Sequence, residues 1–382
     1  CGKTLADWGA EVIKVEPQNG DFGRYSGQNF GVPTSEDVNP HFELLNGNKK
    51  SIVLNLKNET GYRAMLKLLG KVDVLITNYR QVALNKLGLD YKTLSEKFPK
   101  LVFAHLSGFG LEGPIASSPG FDTVAYFARP GFMLDFAERD TSPISAPFGV
   151  GDLTAGSTMA GAIGTALYKR EKTGKGERVE TSLYGQSIWG LGIVLQSVKH
   201  GAVYPRSRKE ATVPLNNCYK CKDGEWIYIS VLEYDRYCKS LFKLMNREDL
   251  CENEKFNNAK GGEENNVELI SILDEGFLLY DRETWSKKLK EADIAHDYIN
   301  HMKDVLVDKQ AYENDFIIDY EYQSGEKTVI AQPPVRFGDS RVSQHRLAPK
   351  LGENSIEILK SLGYSDNEIE EMSEKGITLI RK

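Results

Sequence analysis

Residues 72–108, "VDVLITNYRQVALNKLGLDYKTLSEKFPKLVFAHLSG", contain the pattern that decides the fold. Two short apolar runs, VDVLIT and LVFAHLSG, enclose amphipathic stretches that are typical of helices. The same alternation is found upstream, around EVIKVE and KSIVLNL. Strands that alternate with helices favour βαβ units, in which parallel strands are buried on both faces of the sheet. The sequence therefore predicts an α/β fold with a mostly parallel sheet.

The character of the sequence changes near residue 200. Residues 216–231, "NNCYKCKDGEWIYISV", predict two strands joined by a Lys-Asp-Gly turn, and helical segments follow them. We predict a large Rossmann-like α/β domain over 1–199 and a smaller α+β domain over 200–311. Residues 312–382 then form a linker and a return to the large domain.

The end of the chain predicts two short helices. Asn354 with Glu357, and Ser365 with Glu368, have the spacing of a capping box, in which two side chains satisfy the first amide groups of a helix. Gly363 and Gly376 stand where helices commonly stop.

The composition excludes several classes of protein. The chain has 382 residues, of which 40% are hydrophobic and 27% charged, as in ordinary globular proteins. The net charge of −6 argues against general nucleic-acid binding. The most apolar stretch, residues 187–198, is shorter than the about 20 residues that span a membrane. Five scattered cysteines favour a reducing compartment, so we expect a cytoplasmic protein. Because the chain opens without Met, we also expect residues upstream of it.

Two short motifs resemble cofactor-binding or metal-binding patterns, and each is weak evidence for such a site. GFGLEG at 108–113 matches the G-x-G-x-x-G pattern of a nicotinamide oxidoreductase, but Pro114 follows at once where a helix should begin. Cys218 and Cys221 form a C-x-x-C pair with no second pair of ligands at zinc spacing. We therefore predict neither a nicotinamide cofactor nor a metal.

Asp152 lies in "FGVGDLTAGSTMAGAIG", residues 148–164, between glycines and a run of small residues. Asp often caps the start of a helix, and Ala155, Met159 and Ile163 predict one buried helical face behind it. A single carboxylate among small residues can also act as a nucleophile. The residues alone leave both interpretations open.

Basic residues are found near the ends of the predicted strands in the first half. Ligands of open α/β sheets bind beyond the carboxyl ends of the strands, so these cations could hold a phosphorylated ligand. A solvated surface explains any one of them equally well. They are Arg24, Lys49, Lys50, Lys57, Arg80 and Lys86.

Taken together, several segments resemble the family III CoA-transferases, which include the formyl-CoA, carnitine and bile-acid enzymes. The segments are "LADWGAEVIKVEPQNGD", "NGNKKSIVLNLK", "VDVLITNYRQVALNKLGLDY", "LVFAHLSGFGLEGP", "GDLTAG", "KTGKGERVETSL" and "APKLGEN". The resemblance implies a large α/β domain with a small domain and two subunits interlocked as rings. It also implies coenzyme A as a substrate, with no resident cofactor.

The resemblance assigns the nucleophile to Asp152 in GDLTAG, which we expect near a helix start and pointing into a cleft. Asp122 in PGFDTVAY is a candidate auxiliary acid. Family positions that contact CoA correspond to Arg24, Leu54, Leu56, Lys57, Asn78 and Lys86. The chain departs from the family at Lys86, where Arg is common, and in "NYRQV", where "NFRPG" is usual. It also lacks the GGGG loop that covers the active site of formyl-CoA transferase.

Two alternatives share this resemblance. The 2-methylacyl-CoA racemases use a His in "GHD", where this chain has Phe121, so the two-base mechanism lacks a member. A non-catalytic CoA-binding protein is the other alternative. A capped, buried Asp152 would favour it, and so would the absence of a cavity beside Asp152. The sequences of residues 1–17 and 149–177 are most similar to the branch of the family that acts on 2-hydroxy acids in amino-acid fermentation. We therefore expect an acid such as 2-hydroxyisocaproate or phenyllactate as the substrate.

Overall fold

The structure is a computed structural model that describes residues 1–338 and 345–381. Residues 339–344 of the predicted return segment lie outside the described residues. The chain divides into two compact units. The first unit contains residues 1–130, 146–195 and 309–382, and the second contains residues 131–145 and 196–308.

Residues 131–145 correct the predicted extent of the large domain, because they belong to the second unit. The backbone N–H of Arg139 donates to the carbonyl of Arg206 at 3.2 Å. The Glu138 carboxylate accepts from the backbone N–H of Arg208 at 3.0 Å. These bonds join residues about 70 positions apart, and no local sequence pattern indicates such a contact.

The strands in the described part of the chain form two parallel sheets and two antiparallel ones. In the first unit β1 pairs with β2, and β4 lies between β3 and β5, all in parallel. β9 and β10 form an antiparallel hairpin, and β6, β7 and β8 form the antiparallel sheet of the second unit. The prediction of an α/β fold with parallel strands is confirmed. The bounds are β1 (Ile13–Glu16), β2 (Lys50–Val53), β3 (Val74–Thr77), β4 (Val102–Ser107), β5 (Arg178–Ser182), β6 (Asn216–Lys220), β7 (Trp226–Ser230), β8 (His296–Tyr298), β9 (Ile317–Glu321) and β10 (Lys327–Ala331).

Helices connect these strands, and most of them are short. They are α1 (Gly2–Asp7), α2 (Pro40–Asn46), α3 (Glu59–Leu69), α4 (Gln81–Leu87), α5 (Tyr91–Lys97), α6 (Phe132–Asp135), α7 (Val150–Thr173), α8 (Leu183–Gly190), α9 (Gly192–Lys199), α10 (Tyr234–Leu244), α11 (Ala259–Glu264), α12 (Asn266–Phe277), α13 (Arg282–Glu291), α14 (Met302–Val305), α15 (Lys309–Glu313), α16 (Ser355–Ser361) and α17 (Asp366–Glu374). A π-helical segment, Asp122–Ala128, follows β4. None of the described helices is long and apolar enough to cross a membrane.

The largest core of the first unit joins the parallel strands to the end of the chain. Ile52 of β2, Phe103 of β4 and Leu68 of α3 are buried in one cluster with Leu359 of α16 and Ile369 of α17. Burying each such side chain stabilises the fold by roughly 1.5–3 kcal/mol relative to leaving it exposed to water. The last two helices therefore complete the core of the α/β unit.

The second unit has its own core. The rings of Tyr219 and Phe277 stack with their centroids 4.7 Å apart. The indole N–H of the buried Trp285 donates to the carbonyl of Phe277 at 2.7 Å. At the edge of this core, Arg208 makes two hydrogen bonds of 2.7 Å to the carboxylate of Asp274.

Candidate active site

Asp152 is the third residue of α7, in the first turn of the helix. Gly149, the residue before the helix, has a positive φ of 79°, which glycine adopts without strain. Ala155, Met159 and Ile163 bury the inner face of α7, as the sequence pattern predicts. The geometry therefore presents Asp152 at the start of a well-anchored helix.

Asp122 caps this helix. Its Oδ2 accepts a hydrogen bond of 2.6 Å from the backbone N–H of Gly149. In a capping box the acid at the third helical position, here Asp152, would reach back to that same N–H. Because Asp122 takes this position from a different element, the cap does not need Asp152. The capping interpretation of Asp152 is therefore wrong.

The carboxylate of Asp152 has no hydrogen bond or ion pair with any residue in the described ranges 1–338 and 345–381. The residue is also exposed to solvent. A side chain in this state can approach a ligand without first breaking an internal contact.

Gly151 allows the two acids to lie so close together. A Cβ atom built on Gly151 would lie 2.2 Å from Oδ1 of Asp122 and 2.4 Å from Cγ of Tyr126. No real Cβ tolerates such contacts, so only glycine fits between Asp122 and the helix. Sequence reasoning missed this requirement, although the glycine directly before Asp152 was the available signal.

The electrostatics of the two acids are coupled. Although Asp152 is exposed as a residue, desolvation of its carboxyl group raises the pKa, the negative charge of Asp122 raises it further, and the amino group of Cys1 opposes the rise. Burial also raises the pKa of Asp122, although the amide groups of Gly149, Gly151 and Asp152 favour its charged form. A carboxylate with a raised pKa is more basic, and it is therefore a better nucleophile when ionised.

Apolar side chains next to these acids are open to solvent. Phe121, directly before Asp122, is 73% exposed, and Phe148 is 68% exposed. Val150 and Leu153 of the first turn are exposed as well. The ring of Phe30 lies edge-on to Phe148, with centroids 5.0 Å apart. An apolar group bound at Asp152 would find apolar neighbours here.

The structure places Arg24 in an internal network. Its Nε and Nη2 donate to the two carboxylate oxygens of Glu16 at 2.8 and 2.7 Å. Nη2 also donates to the carbonyl of Pro349, and the guanidinium lies 4.1 Å over the ring of Phe42. Burial would raise the pKa of Glu16, but the hydrogen bonds from Arg24 and Ser51 bring it below its ordinary value. Arg24 is therefore already paired with a buried acid.

The other predicted CoA-contacting residues differ in exposure. Lys57, Asn78 and Lys86 are exposed, whereas Leu56 is half-buried. Leu54 is only 2% exposed and belongs to the core, so its side chain does not form an open surface. The structure brings Asp122 and Asp152 together, but among residues 1–338 and 345–381 no hydrogen bond or ion pair joins the predicted CoA-contacting residues to this pair.

Asn78 lines a small cavity of about 50 Å³ between the loops that follow β3 and β4. Within the loop after β4, Gly108 and Gly120 lie close together, and a Cβ on Gly108 would lie 2.7 Å from the Cα of Gly120. No helix begins within residues 108–113, so GFGLEG is not a nicotinamide motif. Gly108 is needed instead for the close approach of the loop that leads into Asp122.

Lys49 is a half-buried lysine, which sequence reasoning missed. Its Nζ donates to Oδ1 of Asn46 at 2.9 Å. Burial, and then the charge of Lys14, lowers the pKa of Lys49 to about 7. The sequence showed a lysine near a strand but could not show its burial.

No group of three His, Cys, Asp or Glu side chains suited to a metal ion is found among residues 1–338 and 345–381. Cys218 on β6 and the buried Cys221 are free thiols. Burial raises the pKa of Cys221 to about 12, so this thiol stays protonated.

Comparison with known proteins points to one family. A family model described as CoA-transferase family III matches residues 1–355. The chain is 40% identical over 377 residues to the (R)-2-hydroxy-4-methylpentanoate CoA-transferase of Clostridioides difficile, covering 99% of this chain and 94% of that protein. It is 38% identical over 388 residues to the cinnamoyl-CoA:phenyllactate CoA-transferase of Clostridium sporogenes, covering 100% of this chain and 94% of that protein.

A solved structure shows the same fold. The CAIB/BAIF family protein of Brucella suis superimposes with a TM-score of 0.79 and is 27% identical in sequence. The match covers 94% of this chain and 94% of that one.

Proposed function

This chain belongs to CoA-transferase family III, and on that premise we propose that it moves coenzyme A between an acyl-CoA and a free 2-hydroxy acid. The unengaged carboxylate of Asp152, at a helix start that Asp122 caps, carries this proposal. Coenzyme A is a substrate in this reaction and not a resident cofactor. The two relatives named for 2-hydroxy-4-methylpentanoate and phenyllactate support a 2-hydroxy acid with an aliphatic or aromatic side chain.

Asp152 is the nucleophile in the proposed mechanism. Its carboxylate attacks the carbonyl carbon of the acyl-CoA thioester, the C–S bond breaks, and CoA leaves as the thiolate. The product on the enzyme is a mixed anhydride. The thiolate then attacks the aspartyl carbonyl of this anhydride, which releases the first acid as a carboxylate and leaves an aspartyl-CoA thioester.

The second half of the reaction repeats these steps in reverse order. The acceptor carboxylate attacks the aspartyl-CoA thioester, and the CoA thiolate leaves again. The thiolate then attacks the acyl carbon of the new anhydride, which forms the new acyl-CoA and restores the Asp152 carboxylate. No net proton is gained or lost.

The apolar surroundings of Asp152 support an aliphatic or aromatic substrate. Phe148, Val150 and Leu153 lie within four residues of the nucleophile and are exposed. Burying an apolar side chain against them is favourable, at roughly 25 cal/mol for each Å² removed from water. An acid without an apolar side chain would gain less at this site.

The family resemblance implies CoA contacts for Arg24, Leu56, Lys57, Asn78 and Lys86, and we propose that the buried Leu54 supports this surface from the core instead of contacting CoA with its side chain. The exposed ammonium groups of Lys57 and Lys86 are available for phosphate groups. In this proposal Arg24 stays hydrogen-bonded to Glu16 when CoA binds, and its role is to hold the loop after β1 in shape.

We further propose that two copies form an interlocked homodimer in the cytoplasm. Trp189 of α8 is 83% exposed and Tyr168 of α7 is 67% exposed, which is unusual for large apolar side chains without a partner surface. The free thiols of all five cysteines support a reducing compartment.

The alternatives have less support. Asp152 is neither buried nor engaged as a cap, which removes one of the two features that would favour a non-catalytic CoA-binding protein. Phe121 supplies no imidazole beside Asp122, so a racemase would lack one of its two bases.

Mass spectrometry of the intact protein tests the nucleophile. After brief incubation with an acyl-CoA and trapping with hydroxylamine or borohydride, we expect a modification on the peptide that contains Asp152. Asp152→Asn should lose both the modification and transfer activity, whereas Glu112→Gln, which changes an exposed acid of the same unit, should retain both. Activity of Asp152→Asn within a few fold of the parent protein contradicts the assignment.

A further inference from the structure

His105 is a buried imidazole in the interior of β4, and neither the mechanism nor the family resemblance uses it. The residue is 1% exposed, and its ring packs edge-on to Phe103, two residues earlier on the same strand. Nε2 lies 2.8 Å from the backbone carbonyl oxygen of Tyr79. A carbonyl oxygen can only accept, so Nε2 carries the proton and donates it.

The other ring nitrogen has no partner. Nδ1 is buried and makes no hydrogen bond with any residue that the structure describes. Burial lowers the pKa of His105, which keeps the ring in its neutral form. An apolar residue would fill this strand position without leaving a buried acceptor unpaired, so the imidazole is present at some cost to stability.

The bond from His105 holds the loop that contains Asn78. This loop follows β3, and Tyr79 is its middle residue. At one side the N–H of Tyr79 donates to Oγ1 of Thr77 at 3.2 Å, and at the other Nη1 of Arg80 donates to the carbonyl of Ser117 at 3.3 Å. His105 is the anchor that comes from the neighbouring strand, and it lines the same cavity as Asn78.

We infer that His105 is a positioning residue for coenzyme A, because its hydrogen bond to the Tyr79 carbonyl fixes the loop that presents Asn78. This inference rests on the proposed function, in which Asn78 contacts CoA. Loss of the bond leaves the Tyr79 carbonyl without its partner on β4, so the loop adopts other conformations and binds CoA less tightly.

The test uses two variants of the full chain. His105→Leu removes the hydrogen bond while retaining an apolar filling, and His105→Gln retains an N–H near the position of Nε2. For His105→Leu we expect about a tenfold increase in the KM for acyl-CoA and in the Kd for free CoA, which corresponds to losing one hydrogen bond. The KM for the acid and kcat should change less than threefold. His105→Gln should restore most of the affinity.

A double-mutant cycle with Asn78→Ala separates positioning from general stability. If His105 acts through Asn78, then His105→Leu should weaken CoA binding much less in the Asn78→Ala background than in the parent. Val102→Ala, a core change on the opposite face of β4, is the control and should lower the melting temperature without changing the KM for acyl-CoA.

The possible results are distinct. Unchanged CoA affinity in His105→Leu, or fully additive effects with Asn78→Ala, overturns the inference and leaves the proposed function intact. If His105→Leu does not fold, the cycle is run with His105→Met and Asn78→Ala, since methionine also lacks a donor to the Tyr79 carbonyl. Unchanged CoA affinity of His105→Met then overturns the inference, and a weaker affinity that is lost in the Asn78→Ala background supports it. If the parent protein neither binds CoA nor transfers it, the proposed function and the inference both fail.

Discussion

At the scale of single residues, the central feature is that two neighbouring acids, Asp122 and Asp152, have different surroundings. The carboxylate of Asp122 accepts the hydrogen bond from the backbone N–H of Gly149. Asp152, three residues after Gly149, makes no side-chain hydrogen bond at the helix start. The sequence allowed Asp152 to be recognised through GDLTAG, but it could not show which acid caps the helix. Asp122 and Gly149 are 27 positions apart, and their contact depends on how the loop after β4 folds back.

Asp122→Asn changes the charge beside Asp152, the proposed nucleophile, while keeping an oxygen that can accept from Gly149. Because the charge of Asp122 contributes to the raised pKa of Asp152, its removal should lower that pKa. Activity is lost as pH falls through the pKa of the nucleophile, so the acid limb of the kcat/KM profile should move to lower pH in this variant.

Asp122→Ala is the companion variant, since it removes the charge and the cap together. We expect it to lose about 1 kcal/mol of stability, the usual contribution of a cap, in addition to the shift of the pH profile. Denaturant unfolding and pH–rate profiles of both variants check this. An acid limb at the same pH in the parent and in Asp122→Asn contradicts electrostatic coupling between the two acids.

At the scale of elements, patterns that act within one helix or strand were predictable from the sequence. The parallel strands agree with prediction, and Ser365 and Glu368 form the expected capping box of α17. The similar spacing of Asn354 and Glu357 was misleading, because Oδ1 of Asn354 accepts from the backbone N–H of Ser51 on β2 at 3.0 Å. Local spacing identifies groups that can form a cap, but a distant strand can compete for the same atom.

The start of α7 allows a direct test, because the helix contains two glycines in different surroundings. Gly151→Ala places a Cβ against Asp122 and Tyr126, and the helix start must shift to accommodate it. We expect a loss of about 1–3 kcal/mol of stability and a loss of transfer activity. Gly161→Ala is the matched control, since a Cβ there meets no atom within 4 Å.

The control should be neutral or should stabilise the protein by up to about 1 kcal/mol, since alanine favours helix more than glycine does. Chemical denaturation and a transfer assay measure both properties. Equal stability and activity of the two alanine variants would show that the close packing of Asp122 on α7 is not required.

At the scale of the whole molecule, each unit has its own core, and the last two helices complete the core of the first unit. The chain passes from the first unit to the second and back twice, since residues 131–145 and 196–308 form the second unit. The local sequence pattern could show that a second domain begins near residue 200. It could not assign residues 131–145 to the second unit, because their partners lie far along the chain.

The proposed interlocked dimer predicts unusual behaviour on mixing. Two rings that pass through each other cannot separate while both chains stay folded, whereas an ordinary dimer exchanges subunits by dissociation. When protein with two different affinity tags is mixed under native conditions, we therefore expect no doubly tagged dimer after many hours. Unfolding and refolding the same mixture should give about half doubly tagged dimer, the random share for two equal tags.

Light scattering should show a dimer that persists on dilution. Exchange without unfolding would leave a dimer with an ordinary interface, and a monomer would exclude both forms. The outer faces of α7 and α8, with Tyr168 and Trp189, would then require another partner.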